Sequence, residues 1–240
     1  MSDRVVIIGG SGSIGSSIAK EVISEGFEPY LVGRNFASLN KISKELNCPF
    51  EVADVTKSEQ LKTVLEKCGD NIHGLAYCAG SIDLKSLSSA HENDYLESFK
   101  VNTLGAITTI KSLKDSLKKN NGSILLFSSI AVKNGFTNHS VIATAKGAIE
   151  ALTVSLAAEL APNIKVNCIA PSLTDSGMSK SITSNENIKK AIELLHPIPK
   201  IGEAKDHSKL AAYLLGKSNT WITGQIFNVD GGRSTLRIKG

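Results

Sequence analysis

The chain has 240 residues, 41% hydrophobic and 21% charged, with a formal net charge of +4. That length fits one large α/β domain. A charge this mild and dispersed argues against a nucleic-acid partner; the densest basic run, KSLKDSLKKN at 111–120, falls at an expected helix C-terminus, where lysines suit the helix dipole.

In chain order, RVVIIG (4–9) predicts a buried strand and 14–25 a helix. EPYLVG (28–33) predicts a second strand, 36–47 a helix, 49–55 a third strand and 58–69 a short helix. IHGLAYCAG (72–80) is the fourth strand. A long helix follows over 93–119, with Leu96, Phe99, Ile107, Ile110, Leu113 and Leu117 spaced for one buried face. The turn signal NNG leads into a fifth strand, 122–129. A second long helix spans 140–160, with Ile149, Leu152, Leu156 and Leu160 in one stripe. The sixth strand is expected at 164–170 and the seventh at 224–232. Such alternation predicts a doubly wound, seven-stranded parallel sheet with helices on both faces, in a single domain over 1–240. Segment 174–205 is loose around one short helix pattern and reads as a lid at the carboxyl ends of the strands.

Cys48, Cys68, Cys78 and Cys168 lack metal-site spacing, so no metal is expected, and buried free thiols in a reducing compartment are the plain expectation. No apolar run is expected to span a bilayer, and the N-terminus enters a strand without a signal-peptide pattern. These features predict a cytoplasmic protein with no membrane partner and a small-molecule substrate.

IIGGSGSIGSSIA (7–19) joins the first strand to the first helix. Gly10, Gly12 and Gly15 fit G-x-G-x-x-G; Gly9, Gly12 and Gly15 fit G-x-x-G-x-x-G. Either way, Gly9, Gly10, Ser11, Gly12, Ser13, Ile14 and Gly15 would bring a pyrophosphate onto backbone N–H groups at a helix N-terminus. The second strand ends in LVGRN, without the carboxylate that would bind adenosine ribose hydroxyls. Arg34 suits a 2′-phosphate instead, so NADP(H) is favoured, with NAD(H) possible; the alternative for Arg34 is a solvated side chain.

With these motifs in order, the whole chain resembles the short-chain dehydrogenase/reductase family, with its Rossmann-type fold. Asp54 and Val55 of ADV resemble the adenine-contacting motif, and YCAG keeps Ala79 and Gly80 of the family's N-N-A-G. Asn102 in VNTLG matches the active-site asparagine, and Ser129 in FSSIA the catalytic serine. Pro171, Thr174 and Ser176 in NCIAPSLTDSGM resemble the segment that holds the nicotinamide, and ITGQIFNVDGG resembles the last strand. The resemblance implies hydride exchange between a nicotinamide and a carbonyl carbon. It also implies a ribose-binding role for Lys146, water ordering by Asn102, and a homo-oligomer, tetramer or dimer, built through the two long helices.

HSVIATAK (139–146) departs from the pattern. Lys146 stands where the family's Tyr-x-x-x-Lys puts its lysine, but Ile142 stands at the tyrosine, and a missing general acid typically lowers a rate by about 10²–10⁴-fold. Two consequences stay open. His139, two helical turns before Lys146, is the candidate proton donor, since histidine titrates near neutral pH and the divergent enoyl-thioester reductases of the superfamily place their tyrosine at this offset. Otherwise His139 caps or packs, and the chain is a silent nucleotide-binding protein. Reduction of a conjugated enone or enoyl thioester asks less of an acid, because hydrogen bonds from Ser129 hold the enolate oxygen while water protonates carbon. Ser128 and Thr144 are expected to be structural, and Ser140 is a candidate N-cap.

Overall fold

In the computed structural model, which describes residues 3–237, the valine and isoleucine run becomes β1 (Arg4–Ile8), with Val5 to Ile8 fully buried. The last three residues of the C-terminal RSTLRIKG lie outside the described residues. The chain continues through α1 (Ser13–Ser24), β2 (Glu28–Gly33), α2 (Phe36–Leu46), β3 (Phe50–Val52), α3 (Ser58–Glu66) and β4 (Ile72–Tyr77). Next come α4 (Glu92–Phe99), α5 (Gly105–Lys119), β5 (Ser123–Phe127), α6 (Ser140–Leu160) and β6 (Lys165–Pro171). The chain closes with α7 (Lys180–Thr183), α8 (Glu186–Glu193), α9 (Ala204–Leu215) and β7 (Ile226–Val229).

All strands pair in parallel in the order β3-β2-β1-β4-β5-β6-β7, as the alternating pattern predicts. One apolar layer joins Leu61, Leu65, Ile110, Leu113, Leu117 and Ile149 to one face; the other joins Ile18, Val22, Leu39, Ala211 and Leu215 to the opposite face. The winding direction reverses between β1 and β4. Carboxyl ends on either side of that reversal open a crevice, the usual ligand position in such sheets.

The strands are shorter than their apolar runs. β3 ends at Val52, β4 at Tyr77, β5 at Phe127 and β7 at Val229, where 55, 80, 129 and 232 were expected. Beyond these ends the chain leaves the ladder, and Cys78, Gly80, Ser128 and Ser129 face the crevice instead.

The expected helix over 93–119 is interrupted. Lys100–Leu104 forms a five-residue π-helical turn between α4 and α5, with Asn102 fully buried in it. An inserted residue turns the helix face by about 100°. That breaks the expected stripe: Ile110, Leu113 and Leu117 are buried, while Leu96 is 50% exposed.

Helix α6 corrects a second expectation. By length and composition it could cross a bilayer, because alanines and a few large apolar residues raise its mean hydropathy. Here it covers β5 and β6, with Glu150 and Thr153 buried on its inner side. Its N-cap is His139, and Ser140 is its first helical residue. In the lid segment, α7 and α8 replace the single expected helix; Asn185 caps α8 by accepting from the N–H groups of Asn187 and Ile188.

Candidate active site

The turn from β1 to α1 is built for close backbone approach. Gly9 has φ +81°, and a Cβ there would stand 2.8 Å from the Ala79 nitrogen and 2.9 Å from the Cys78 carbonyl carbon. At Gly15 a Cβ would collide with the Gly9 carbonyl oxygen. No side chain caps α1 at Gly12, and no acidic residue occupies its first turn. The positive end of the helix thus opens onto a cavity of about 620 Å³, whose wall includes Gly9, Gly12, Ser13, Ile14 and Gly15. Gly10 packs against Leu31, and the Ser11 hydroxyl lies near Gly33 at the end of β2. This cradle, which a single Cβ would fill, fits a dinucleotide pyrophosphate.

Deeper in the cavity, three elements converge. The π-turn carries Asn102, whose Nδ2 donates to the Ser98 carbonyl at 2.9 Å. A Cβ on Gly80 would meet Asn102 Oδ1 at 2.8 Å and Lys146 Nζ at 3.4 Å, so glycine is what lets amide and amine approach there. Lys146 reaches in from α6 and donates to the Phe127 carbonyl at 2.8 Å. Desolvation lowers its pKa to about 8, a shift the nearby Cys168 and Cys78 thiols only partly oppose.

Ser128 and Ser129 point to different tasks. Ser128 donates to buried Glu150 Oε1 at 2.9 Å and is structural. Ser129 caps the short 3₁₀ turn Ile130–Val132 by accepting from the Ala131 N–H at 3.2 Å, which leaves its own proton free for a ligand in the cavity. Thr144 donates to the Ser140 carbonyl at 2.7 Å and is structural as expected.

Ile142 lines the same cavity, 4% exposed and one turn before Lys146. None of the four tyrosines lines it. Tyr77 donates to the Val101 carbonyl at 2.6 Å, Tyr95 shares a 2.9 Å hydrogen bond with Ser140, Tyr30 is buried in β2, and Tyr213 stands exposed on α9. His139 does line the cavity. Its Nδ1 lies 2.7 Å from the Thr137 carbonyl, an acceptor, so Nδ1 carries a proton. Nε2 is then an acceptor in the neutral ring and a donor only in the imidazolium.

Pro171, Thr174 and Ser176 line the cavity. Arg34, Asp54, Val55 and Ala79 do not; Arg34 follows β2, Asp54 and Val55 follow β3, and Ala79 follows β4, with Val55 and Ala79 packed against the core. Asp54 accepts from the Thr56 N–H at 2.9 Å and from its hydroxyl at 2.8 Å, and these bonds hold its carboxyl below the usual range, with the exposed Arg34 guanidinium adding to the effect.

Sequence reasoning missed Phe136, Arg233 and the lid residues Met178, Ile182 and Ile192, all on the cavity wall. It also missed buried His207, whose Nε2 pairs with Thr174 Oγ1 at 2.8 Å. These residues come from separate segments, and no local pattern joins them.

A family model described as Enoyl-(Acyl carrier protein) reductase matches residues 9–234. A 3-oxoacyl-(acyl-carrier-protein) reductase of Chlamydia pneumoniae is 30% identical, over 95% of this chain and 96% of its own. A peroxisomal 2,4-dienoyl-CoA reductase of Saccharomyces cerevisiae is 27% identical, over 94% of this chain and 82% of its own. Among solved structures, ElxO with NADP bound superposes with TM-score 0.90 at 28% identity, covering 98% of this chain and all of its own.

Proposed function

Because the chain belongs to the short-chain dehydrogenase/reductase family, we propose that it is an NADP(H)-dependent oxidoreductase with a variant active site. Its substrate is a carbonyl compound or a conjugated enone or enoyl thioester. One observation carries this reading. A single cavity joins the open first turn of α1, the Lys146 amine, the Ser129 hydroxyl and the His139 ring, while Ile142 fills the position of the usual acid.

When bound, the nicotinamide supplies or accepts the hydride. The chain's own residues do the rest. Gly9 to Gly15 would hold the pyrophosphate, Thr174 and Ser176 would hold the nicotinamide, and Lys146 would bind its ribose. Asn102 lies against Gly80 from the π-turn, with its Nδ2 donating to the Ser98 carbonyl. Ser129 donates to the substrate oxygen. His139 gives up its Nε2 proton as the imidazolium, with the Thr137 carbonyl fixing the ring. For an enoyl substrate, Ser129 holds the enolate oxygen, and water delivers the proton to carbon. NADP(H) is supported by Arg34 at the end of β2 and by the NADP bound in the ElxO structure. Four free cysteines support a reducing compartment. The exposed Leu96, Leu104 and Val154 support assembly into a homo-oligomer through α4, the π-turn and α6.

Burial of Ile142 favours one other reading, a catalytically silent nucleotide-binding protein. Monitoring NADPH oxidation against ketone and enoyl-thioester panels tests the two. Turnover supports the oxidoreductase; tight NADPH binding without turnover supports the silent protein.

A further inference from the structure

Arg233 follows β7 and reaches the wall of the same cavity. Its guanidinium carbon lies 4.7 Å from the centroid of the Phe136 ring, and Nη1 donates a long 3.4 Å hydrogen bond to Ser172 Oγ. Ser172 is itself fixed at 2.8 Å by buried His196 Nε2. Arg233 forms no ion pair among the described residues. The nearest acid in sequence, Asp230, spends its carboxylate on the N–H groups of Gly232 and Ser234. Desolvation lowers the guanidinium pKa, and Asp230 opposes this only in part.

No carboxylate lines the cavity among the described residues, and its two fixed cations are Lys146 and Arg233. A half-buried guanidinium calls for an anion, because its desolvation is otherwise uncompensated. A bound cofactor accounts for Lys146. Arg233 touches Phe136 and Ser172, and among the described residues no hydrogen bond joins it to the glycine turn. Ile142, Met178, Ile182 and Ile192 give the same cavity apolar walls, where a substrate body would lie. His139 meets the Phe136 ring edge-on at 5.3 Å, so the candidate proton donor and the guanidinium share one aromatic partner.

We propose that Arg233, with Ser172 and the face of Phe136, recognises a carboxylate on the substrate, several bonds from the carbon that exchanges hydride. This rests on the oxidoreductase reading and names its substrate class: an oxo or enoyl compound with an apolar chain and a free carboxylate. The planar fork suits a carboxylate bidentately, and the apolar walls take the chain.

The test is calorimetric titration of the NADP-saturated protein, and separately of the protein without cofactor, with hexanoate, hexanamide and hexyl phosphate. The expected result is hexanoate binding about tenfold or more tighter than hexanamide, and tighter than hexyl phosphate. Arg233→Met should erase the preference for the acid while hexanamide and NADPH affinities stay unchanged, and Arg233→Lys should keep part of it. Equal binding of acid and amide by the parent, an unaltered preference in Arg233→Met, or a loss of NADPH affinity in that variant would overturn the proposal. A stronger grip on hexyl phosphate would overturn the carboxylate assignment. The parent NADPH titration separates the two readings: binding without acid preference sinks only the carboxylate site, and acid preference without NADPH binding sinks only the oxidoreductase.

Discussion

At the first turn of α6, Ile142 puts an apolar side chain on the cavity wall one turn before Lys146. Replacing it with tyrosine restores a phenol beside an ammonium, an arrangement that lowers the phenol's pKa from about 10. In the His139→Gln background, Ile142→Tyr is expected to raise NADPH-dependent ketone reduction about a hundredfold. The larger ring would lower stability by about 1–3 kcal/mol, which a melting curve detects. Unchanged turnover with intact NADPH binding would show that the missing phenol is not what limits the reaction. Arg34 carries a separate prediction. Arg34→Ala should weaken NADPH about tenfold and leave NADH unchanged, as fluorescence titration would read, because the guanidinium would meet only the 2′-phosphate. Equal losses for both cofactors would refute that role.

At the scale of elements, α9 and the segment after β6 meet through His207 and Thr174. Burial pushes the His207 pKa from 6.5 down to about 4, and its Nδ1 has no hydrogen-bond partner among the described residues. The unfolded chain therefore takes up a proton first on acidification. Stability is full above about 6.5 and is lost as pH falls toward 4, by about 3 kcal/mol from this residue. His73 shifts the same way through burial, so part of the slope should persist without His207. Urea unfolding at pH 7 and pH 5 should show a smaller drop for His207→Gln than for the parent; an identical drop would contradict the account.

Legibility in the sequence also divides by element. Strands and α6 were readable because their apolar periods are local, and the glycine turn because its spacing follows directly on β1. The π-turn was not. KVNTL carries no signal of its own, and the extra residue is stabilised by contacts from elsewhere, such as Thr103 Oγ1 donating to the Ala145 carbonyl at 3.0 Å. Lys146, Asn102, Ser129 and His139 were identified from motif spacing, and all four line one cavity. Arg233 was invisible for the opposite reason, since its partners Phe136 and Ser172 are close only after folding.

For the whole molecule, the reversal of winding between β1 and β4 decides where everything lies. It sets the open end of α1 beside the carboxyl ends of β4, β5 and β6, so a nucleotide and a substrate would share one crevice. Leu96, Leu104 and Val154 remain exposed on the helices of one face. Light scattering is expected to report a dimer or tetramer, and Leu104→Glu to shift it toward monomer; an unshifted assembly would place the interface elsewhere. The central claim joins these scales: the cavity still transfers hydride, with His139 in place of the missing tyrosine. Its most direct test is the NADPH oxidation rate of the parent and of His139→Gln on a substrate that the parent turns over. The account predicts a fall of about a hundredfold in kcat with NADPH affinity unchanged; an unchanged kcat would contradict it.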